Sequence, residues 1–295
     1  MKVFLLGKTG QVGSEIYSLF NKEKIELISF PSNELDITNI ASINLKKELF
    51  KSVDIIINTA AYTLVDKAEE EPEKVYSINK DGPKNLSNIC KEFNIPLIHL
   101  STDYVFSGNN KVNFEDDPIA TTSLYGRSKS LGEQEIQNLI SNYIIIRVSW
   151  VFGKNGTNFV KTILRLAKER DEIRVVDDQI GCPTPAADIA RVLLNVSNSI
   201  SPGHALKAQH GVYHYCGLEV VSWYEFSVNI IDIAKKYVPL QVKNIVPIKS
   251  HEYPSKVVRP NFSTLSCHKI LTDFGIKQAS WEPYLENVIK EILGV

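Results

Sequence analysis

The feature that most narrows the fold is an apolar run, residues 3–6, that breaks at once into Gly7-Lys8-Thr9-Gly10-Gln11-Val12-Gly13. A helical pattern follows, with Val12, Ile16, Leu19 and Phe20 on one face. Strand, glycine turn and helix in this order are what a dinucleotide site requires. The glycines allow a tight turn and close backbone approach, and the helix start offers free N–H groups and a positive dipole end to a pyrophosphate. The spacing is G-x-x-G-x-x-G rather than the commoner G-x-G-x-x-G, and a plain glycine turn is the competing reading.

Further strands are expected at 25–30, 53–57, 96–100 and 143–148, apolar runs of the kind buried in parallel sheets. Their alternation with helical patterns argues for an open parallel α/β sheet with helices on both faces. Residues 58–63, Asn-Thr-Ala-Ala-Tyr-Thr, put small side chains at a strand's C-terminal end, where ligands of such sheets bind. A single long helix is expected over 75–93; Asn79 in its middle is a poor helix former that either faces solvent or has a specific partner. NAD-preferring sites commonly carry a carboxylate at the end of the second strand. Here the chain reads Ser29-Phe30-Pro31-Ser32-Asn33, with no carboxylate until Glu34, and Lys8 is available to a 2'-phosphate, which leans towards NADP(H). Asp36 either caps a helix or sits beside an adenine.

Past Gly153 the rhythm changes. A helix over 158–170 carries a basic face (Lys161, Arg165, Lys168, Arg170), followed by a short strand at 173–176 and an irregular, cleft-lining connection at 177–184. A helix over 188–196 returns to the sheet; a strand at 212–216, a helix over 223–237, an extended turn at 257–261 and a last helix after Ser280 complete the chain. The expected division is a dinucleotide-binding domain of residues 1–150 plus about 185–217, and a smaller, discontinuous substrate domain of about 151–184 and 218–295. The length, 295 residues, suits one large or two modest domains.

A formal net charge of −1 argues against a nucleic-acid surface. Cys90, Cys182, Cys216 and Cys267 lack ligand spacing and read as free thiols in a reducing compartment. His204, His210 and His214 likewise lack metal-ligand spacing. The apolar start is too short for a signal peptide or membrane span and no later stretch qualifies, so a cytoplasmic protein is expected.

The chemistry is expected between Ser101 and Lys129. Tyr125 and Lys129, four apart, share a face if their segment is helical. A phenol titrates near about 10, and a neighbouring ammonium lowers that value. A hydroxyl from a strand end, Thr102, completes a proton relay. Ser123 is the expected helix cap. A solvated helix with a chance Tyr/Lys pair is the competing reading.

Six segments jointly carry a resemblance: residues 7–13, 65–69, 101–106, 125–129, 147–151 and 178–184. Over essentially its whole length the chain resembles the extended short-chain dehydrogenase/reductases, and within them the branch that reduces 4-keto sugars carried on dTDP. That resemblance implies a Rossmann-like doubly wound sheet and NAD(P)H-dependent reduction of the C4 ketone of dTDP-4-dehydro-β-L-rhamnose, with Tyr125, Lys129 and Thr102 catalytic. It implies that Gly10, Gln11 and Val12 meet the cofactor pyrophosphate, Asp36 and Ile37 the adenine, and Ala61, Tyr62 and Thr63 the ribose and phosphates. Leu100 and Lys129 would position the nicotinamide ribose, Asn79 would support the relay, Thr102 and Asp103 would hold the sugar, and Trp150 would pack at the substrate nucleotide. Some members dimerise through magnesium held by glutamates; Glu15 and Glu291 match two such positions, but Ala187 stands at the third, so a monomer or a homodimer without that metal is expected. Two other functions fit the same scaffold: a related nucleotide-sugar epimerase or dehydratase, and a non-catalytic regulatory subunit of the methionine adenosyltransferase type.

Overall fold

A computed structural model describes residues 1–201 and 210–295; His204 lies outside the described residues. Six parallel strands form the central sheet: β1 (Lys2–Leu6), β2 (Glu26–Ile28), β3 (Ile55–Asn58), β4 (Leu97–Thr102), β5 (Tyr143–Val148) and β6 (Gly211–Tyr215), in the order β6-β5-β4-β3-β1-β2. The run from β2 back across β1 to β3 is the topological switch, and it sets the glycine turn beside the end of β3, where doubly wound sheets bind ligands.

Successive strand residues point to opposite faces, so Ile144 and Ile146 enter one apolar layer and Ile145 the other. The first layer is closed by helices α1 (Gln11–Lys22) and, further along the chain, α5 (Ala186–Ile200); the second by α2 (Gly82–Phe93) and α3 (Leu124–Leu139). A separate apolar cluster joins α4 (Phe159–Glu169), α6 (Trp223–Ala234) and α7 (Glu282–Leu293) around Phe226, Trp281 and Leu285. A parallel strand pair, Glu172–Val176 with Asn244–Ile248, completes that part. Among the described residues no helix is long and apolar enough to cross a membrane.

Three expectations are corrected. The second strand is only Glu26–Ile28, because Pro31 lacks an N–H and restricts Phe30 before it. The fourth strand continues through Thr102, which places that hydroxyl on the sheet itself. The helix expected over 75–93 is broken into Pro72–Tyr76, a π-turn at Ser77–Asp81, and α2. The cause is local: the residue four after Asn79 is Pro83, which has no N–H to donate, so the Asn79 carbonyl cannot close an α turn. Gly132 on α3 accepts the displaced carbonyl; any side chain there would begin 2.1 Å from the Asn79 oxygen.

Candidate active site

The glycine turn is built as a cradle. Gly7 adopts φ +82°, and a Cβ on it would lie 2.6 Å from the Ala60 nitrogen; one on Gly13 would lie 2.0 Å from the Gly7 oxygen. Gly10 caps α1 without any side-chain hydrogen bond, so the first-turn N–H groups of Gln11, Val12 and Gly13 stay open to an anion. The Gln11 side chain faces elsewhere: its Oε1 accepts from Asn158 Nδ2 at 2.9 Å, tying the turn to the loop before α4. Asp36 is exposed and its carboxylate accepts from the Thr38 amide and hydroxyl at 2.9 and 2.8 Å. Ile37 is buried against Gly82 at the foot of the π-turn.

Asn79 has the specific partners that its position called for. Its Oδ1 accepts from the Tyr62 amide at 2.8 Å, and its Nδ2 donates to the Tyr62 carbonyl at 3.0 Å and to Ser128 Oγ at 2.9 Å. One buried amide thus locks the Ala61-Tyr62-Thr63 turn to the helix carrying Tyr125 and Lys129. That helix is capped twice, by Ser123 Oγ on the Gly126 amide at 3.1 Å and by Glu69 on the Leu124 amide at 2.8 Å. π-turns recur at functional sites because they aim a group that a regular helix cannot.

Thr102, Asp103, Tyr125 and Lys129 are all buried and converge at the end of β4. The Thr102 hydroxyl donates to Asp103 Oδ1 at 3.0 Å and neighbours the Tyr125 phenol closely enough to draw its pKa down. One hydroxyl proton therefore serves either neighbour. Burial pushes the Asp103 carboxyl up to about 6, against hydrogen bonds from Ser263 and Thr102 that pull it down. Burial also pushes the Tyr125 phenol well above its ordinary value; the Thr102 bond opposes that rise, and Asp103 and Tyr104 add to it. The expectation that Lys129 lowers the Tyr125 pKa is overturned here. The Lys129 ammonium donates to the Leu100 carbonyl at 2.7 Å and lies 3.2 Å from His99 Nε2, and burial lowers it to about 8. A phenol that keeps its proton at neutral pH is suited to give that proton away, as reduction of a ketone demands.

His99 was missed in the sequence. It is fully buried between Asn58 and Lys129, with Asn58 Nδ2 at 3.1 Å from its Nδ1, and burial and the Lys129 charge hold it well below its ordinary pKa. Its place on β4, two residues beyond Leu97 on the same face, was the available signal. Trp150 stands at φ 47°, a left-handed conformation costly for a bulky residue. It stacks on Trp223 with ring centroids 3.4 Å apart and planes 6° from parallel, over Gly181. Trp223 is the second residue that sequence alone did not supply.

Fold and site together define a nicotinamide-dependent oxidoreductase of the short-chain dehydrogenase/reductase class: a dinucleotide cradle at the switch point, with a Thr/Tyr/Lys set at the neighbouring strand end. The RmlD substrate binding domain family model matches residues 1–293, and the chain belongs to that family. It is 40% identical to a dTDP-4-dehydrorhamnose reductase of Aggregatibacter actinomycetemcomitans, over 97% of this chain and 98% of that protein. Among solved structures, a dTDP-4-dehydrorhamnose reductase of Clostridium acetobutylicum superposes with a TM-score of 0.90 at 34% identity, covering 100% of both chains. One from Bacillus anthracis, in complex with NADP, superposes with a TM-score of 0.88 at 35% identity, covering 99% of this chain and 100% of that one.

Proposed function

We propose that this chain reduces the C4 ketone of dTDP-4-dehydro-β-L-rhamnose to dTDP-L-rhamnose with NAD(P)H, the last step in making that sugar nucleotide for cell-surface polysaccharide. The observation that carries the reading is the convergence of three buried side chains, Thr102 at the end of β4 with Tyr125 and Lys129 one turn apart on α3. Relatives of the same length and family share the activity in name.

The cradle fits a dinucleotide: Gly7 and Gly13 let the turn pack tightly against the end of β3, and the first turn of α1 leaves its N–H groups open to a pyrophosphate. When bound, the nicotinamide supplies the hydride to C4. Ala61, Tyr62 and Thr63 line the route towards it, held by Asn79. Lys129 stands ready for the nicotinamide ribose, its ammonium aimed by the Leu100 carbonyl. Thr102 polarises the ketone oxygen, Tyr125 protonates the emerging alkoxide, and the phenolate left behind takes the Thr102 hydrogen bond. General-acid assistance of this kind is worth about 10²–10⁴-fold. Asp103 and Trp150 bound the sugar and the nucleotide.

NADPH is the favoured reductant, because the Asp36 carboxylate is already engaged by Thr38 and Lys8 places a positive charge in the turn. The domain division at 1–150 plus 185–217 follows the membership of β6 and α5 in the central sheet and its first apolar layer. Residues here do not fit a shared magnesium. Glu15 feels the charges of both Glu291 and Lys154, and Lys154, paired with Glu291 at 3.3 Å, supplies the positive charge. The reading takes the protein as a monomer or homodimer in the cytoplasm. The test offers NADH and NADPH separately with the 4-keto sugar nucleotide and follows nicotinamide absorbance. Faster loss with NADPH supports the reading, and no loss with either would sink it.

A further inference from the structure

The mechanism gives no task to His99, although its ring is fully buried next to Lys129. Strands β3 and β4 pair in a register that sets Asn58 beside His99. Each ring nitrogen has a polar neighbour: Asn58 Nδ2 lies 3.1 Å from Nδ1, and Lys129 Nζ lies 3.2 Å from Nε2. Burial, with the Lys129 charge, holds the ring well below its ordinary pKa, so it is neutral at physiological pH. A neutral imidazole carries a single N–H, on one nitrogen or the other.

Both neighbours are ordinarily donors, so one of them has to give way. Asn58 is the fixed one. Its Oδ1 accepts from the Ala60 amide at 3.0 Å, which turns Nδ2 towards the ring. Nδ1 is therefore the acceptor, and the ring proton is on Nε2, aimed at Lys129. An ammonium at Nζ would meet that N–H with another N–H, a buried mismatch that costs free energy. An amine at Nζ accepts the Nε2–H and still donates to the Leu100 carbonyl at 2.7 Å. Of the charges nearby, Glu133, one turn along α3, favours the ammonium. Its carboxylate is already engaged by Arg147 of β5, at 3.0 and 2.7 Å. Thr102, Asp103 and Tyr104 act on the Tyr125 phenol instead.

We propose that His99, held in its Nε2–H tautomer by Asn58, is a positioning residue that biases Lys129 towards its amine form and so spares the Tyr125 phenol a neighbouring positive charge. This rests on the reductase reading above, in which Tyr125 has to keep its proton until the ketone arrives. A nearby ammonium favours the phenolate, and an amine does not. The amine still meets a ribose hydroxyl, either donating to it or accepting from it.

The test labels histidine with nitrogen-15 in the full-length protein and reads the ring tautomers by NMR without ligand, His99 being assigned by its loss in His99→Gln. The Nε2–H tautomer is expected at neutral pH, and Nδ1–H overturns the proposal. Asn58→Asp keeps the acceptor for the Ala60 amide but offers Nδ1 a carboxylate. The ring proton is then expected to move to Nδ1, leaving Nε2 to accept from an ammonium. Urea unfolding across pH, taken as the difference from Lys129→Met in the same background, gives the folded Lys129 pKa as the lower edge of the window in which stability rises with pH. In Asn58→Asp that edge is expected to rise from about 8 by about one unit or more. The alkaline limb of the kcat profile, where the phenol loses its proton, is expected to fall by about one unit. A merely structural Asn58 would lower stability alike at every pH and leave both edges in place, which overturns the proposal. If Asn58→Asp does not fold, the wild-type tautomer decides alone. Absence of turnover with the 4-keto sugar nucleotide overturns the reductase reading alone, because the tautomer and the unfolding profile are read without substrate.

Discussion

The wall of the cleft that carries Thr102, Tyr125 and Lys129 and the wall that carries Trp150 and Arg259 are held in different ways. On the first, Lys129, Asn79 and Ser123 are buried and fixed by backbone or amide contacts: Lys129 on the Leu100 carbonyl, Asn79 on Tyr62 and Ser128, Ser123 on the helix start. Behind it, Arg147 and Glu133 form a buried bidentate pair at 2.7–3.2 Å. On the second, the ion pairs that cross the cleft have exposed partners, Arg259 to Asp66 and Lys256 to Glu70, beside bonds to neutral groups such as Arg259 to the Tyr104 phenol and the Phe262 amide to Gly108 O. Buried, fully paired polar groups rigidify a site, whereas exposed ion pairs contribute little and exchange readily. Under the proposed function the rigid wall suits the groups that would move a proton, which need fixed positions.

Breaking the rigid wall at its centre gives the largest effect. Tyr125→Phe should lower kcat by about 10²–10⁴-fold, with the Kd for NADPH unchanged by fluorescence titration. Asn79→Ala comes next. It strips the Tyr62 amide and carbonyl of buried partners, so urea unfolding should show a loss of about 3 kcal/mol, together with weaker NADPH binding. Asn79→Asp, which keeps the acceptor for the Tyr62 amide, should fall between.

Lys129 sharpens the comparison through pH. Its folded pKa, about 8, is lower than the 10.5 of an unperturbed lysine. Between those values the unfolded chain binds the additional proton, so the stability of the native protein rises with pH through that window and the burial penalty is greatest below it. Relative to Lys129→Met, the wild type should gain on the order of 3 kcal/mol between pH 8 and pH 10.5. A flat difference would mean that the ammonium is solvated. The smallest effect belongs to the other wall: Lys256→Ala should leave the urea midpoint where it is, since its pair with Glu70 is exposed on both sides.

Much of the rigid wall was legible in sequence, because its pieces are local. The glycine turn follows a strand directly, Ser123 precedes its helix, and Tyr125 and Lys129 are one helical turn apart. Thr102 could be named but not placed on the sheet, since strand ends are set by what the neighbouring strand pairs with. The π-turn at Asn79 had a signal that was passed over, the Gly82-Pro83 step that removes a donor from mid-helix. The exposed wall was far less legible. Nothing along the chain links Trp150 to Trp223, or Asp66 to Arg259 across 193 positions; these meetings exist only once the two apolar parts have folded against one another. The direction of the Tyr125 shift differs for a related reason: sequence spacing counts Lys129 as a neighbouring charge, while the shift is governed by burial, a property of the whole fold.

The central claim is that this cleft directs a hydride to the sugar's C4 carbon while Tyr125 supplies the proton. The most direct measurement supplies NADPH deuterated at the transferable position with the 4-keto sugar nucleotide and locates the label in the product by NMR. The account predicts one deuterium at C4 for each cofactor oxidised. Product that carries no deuterium at C4, or turnover without net oxidation of added cofactor, would contradict it.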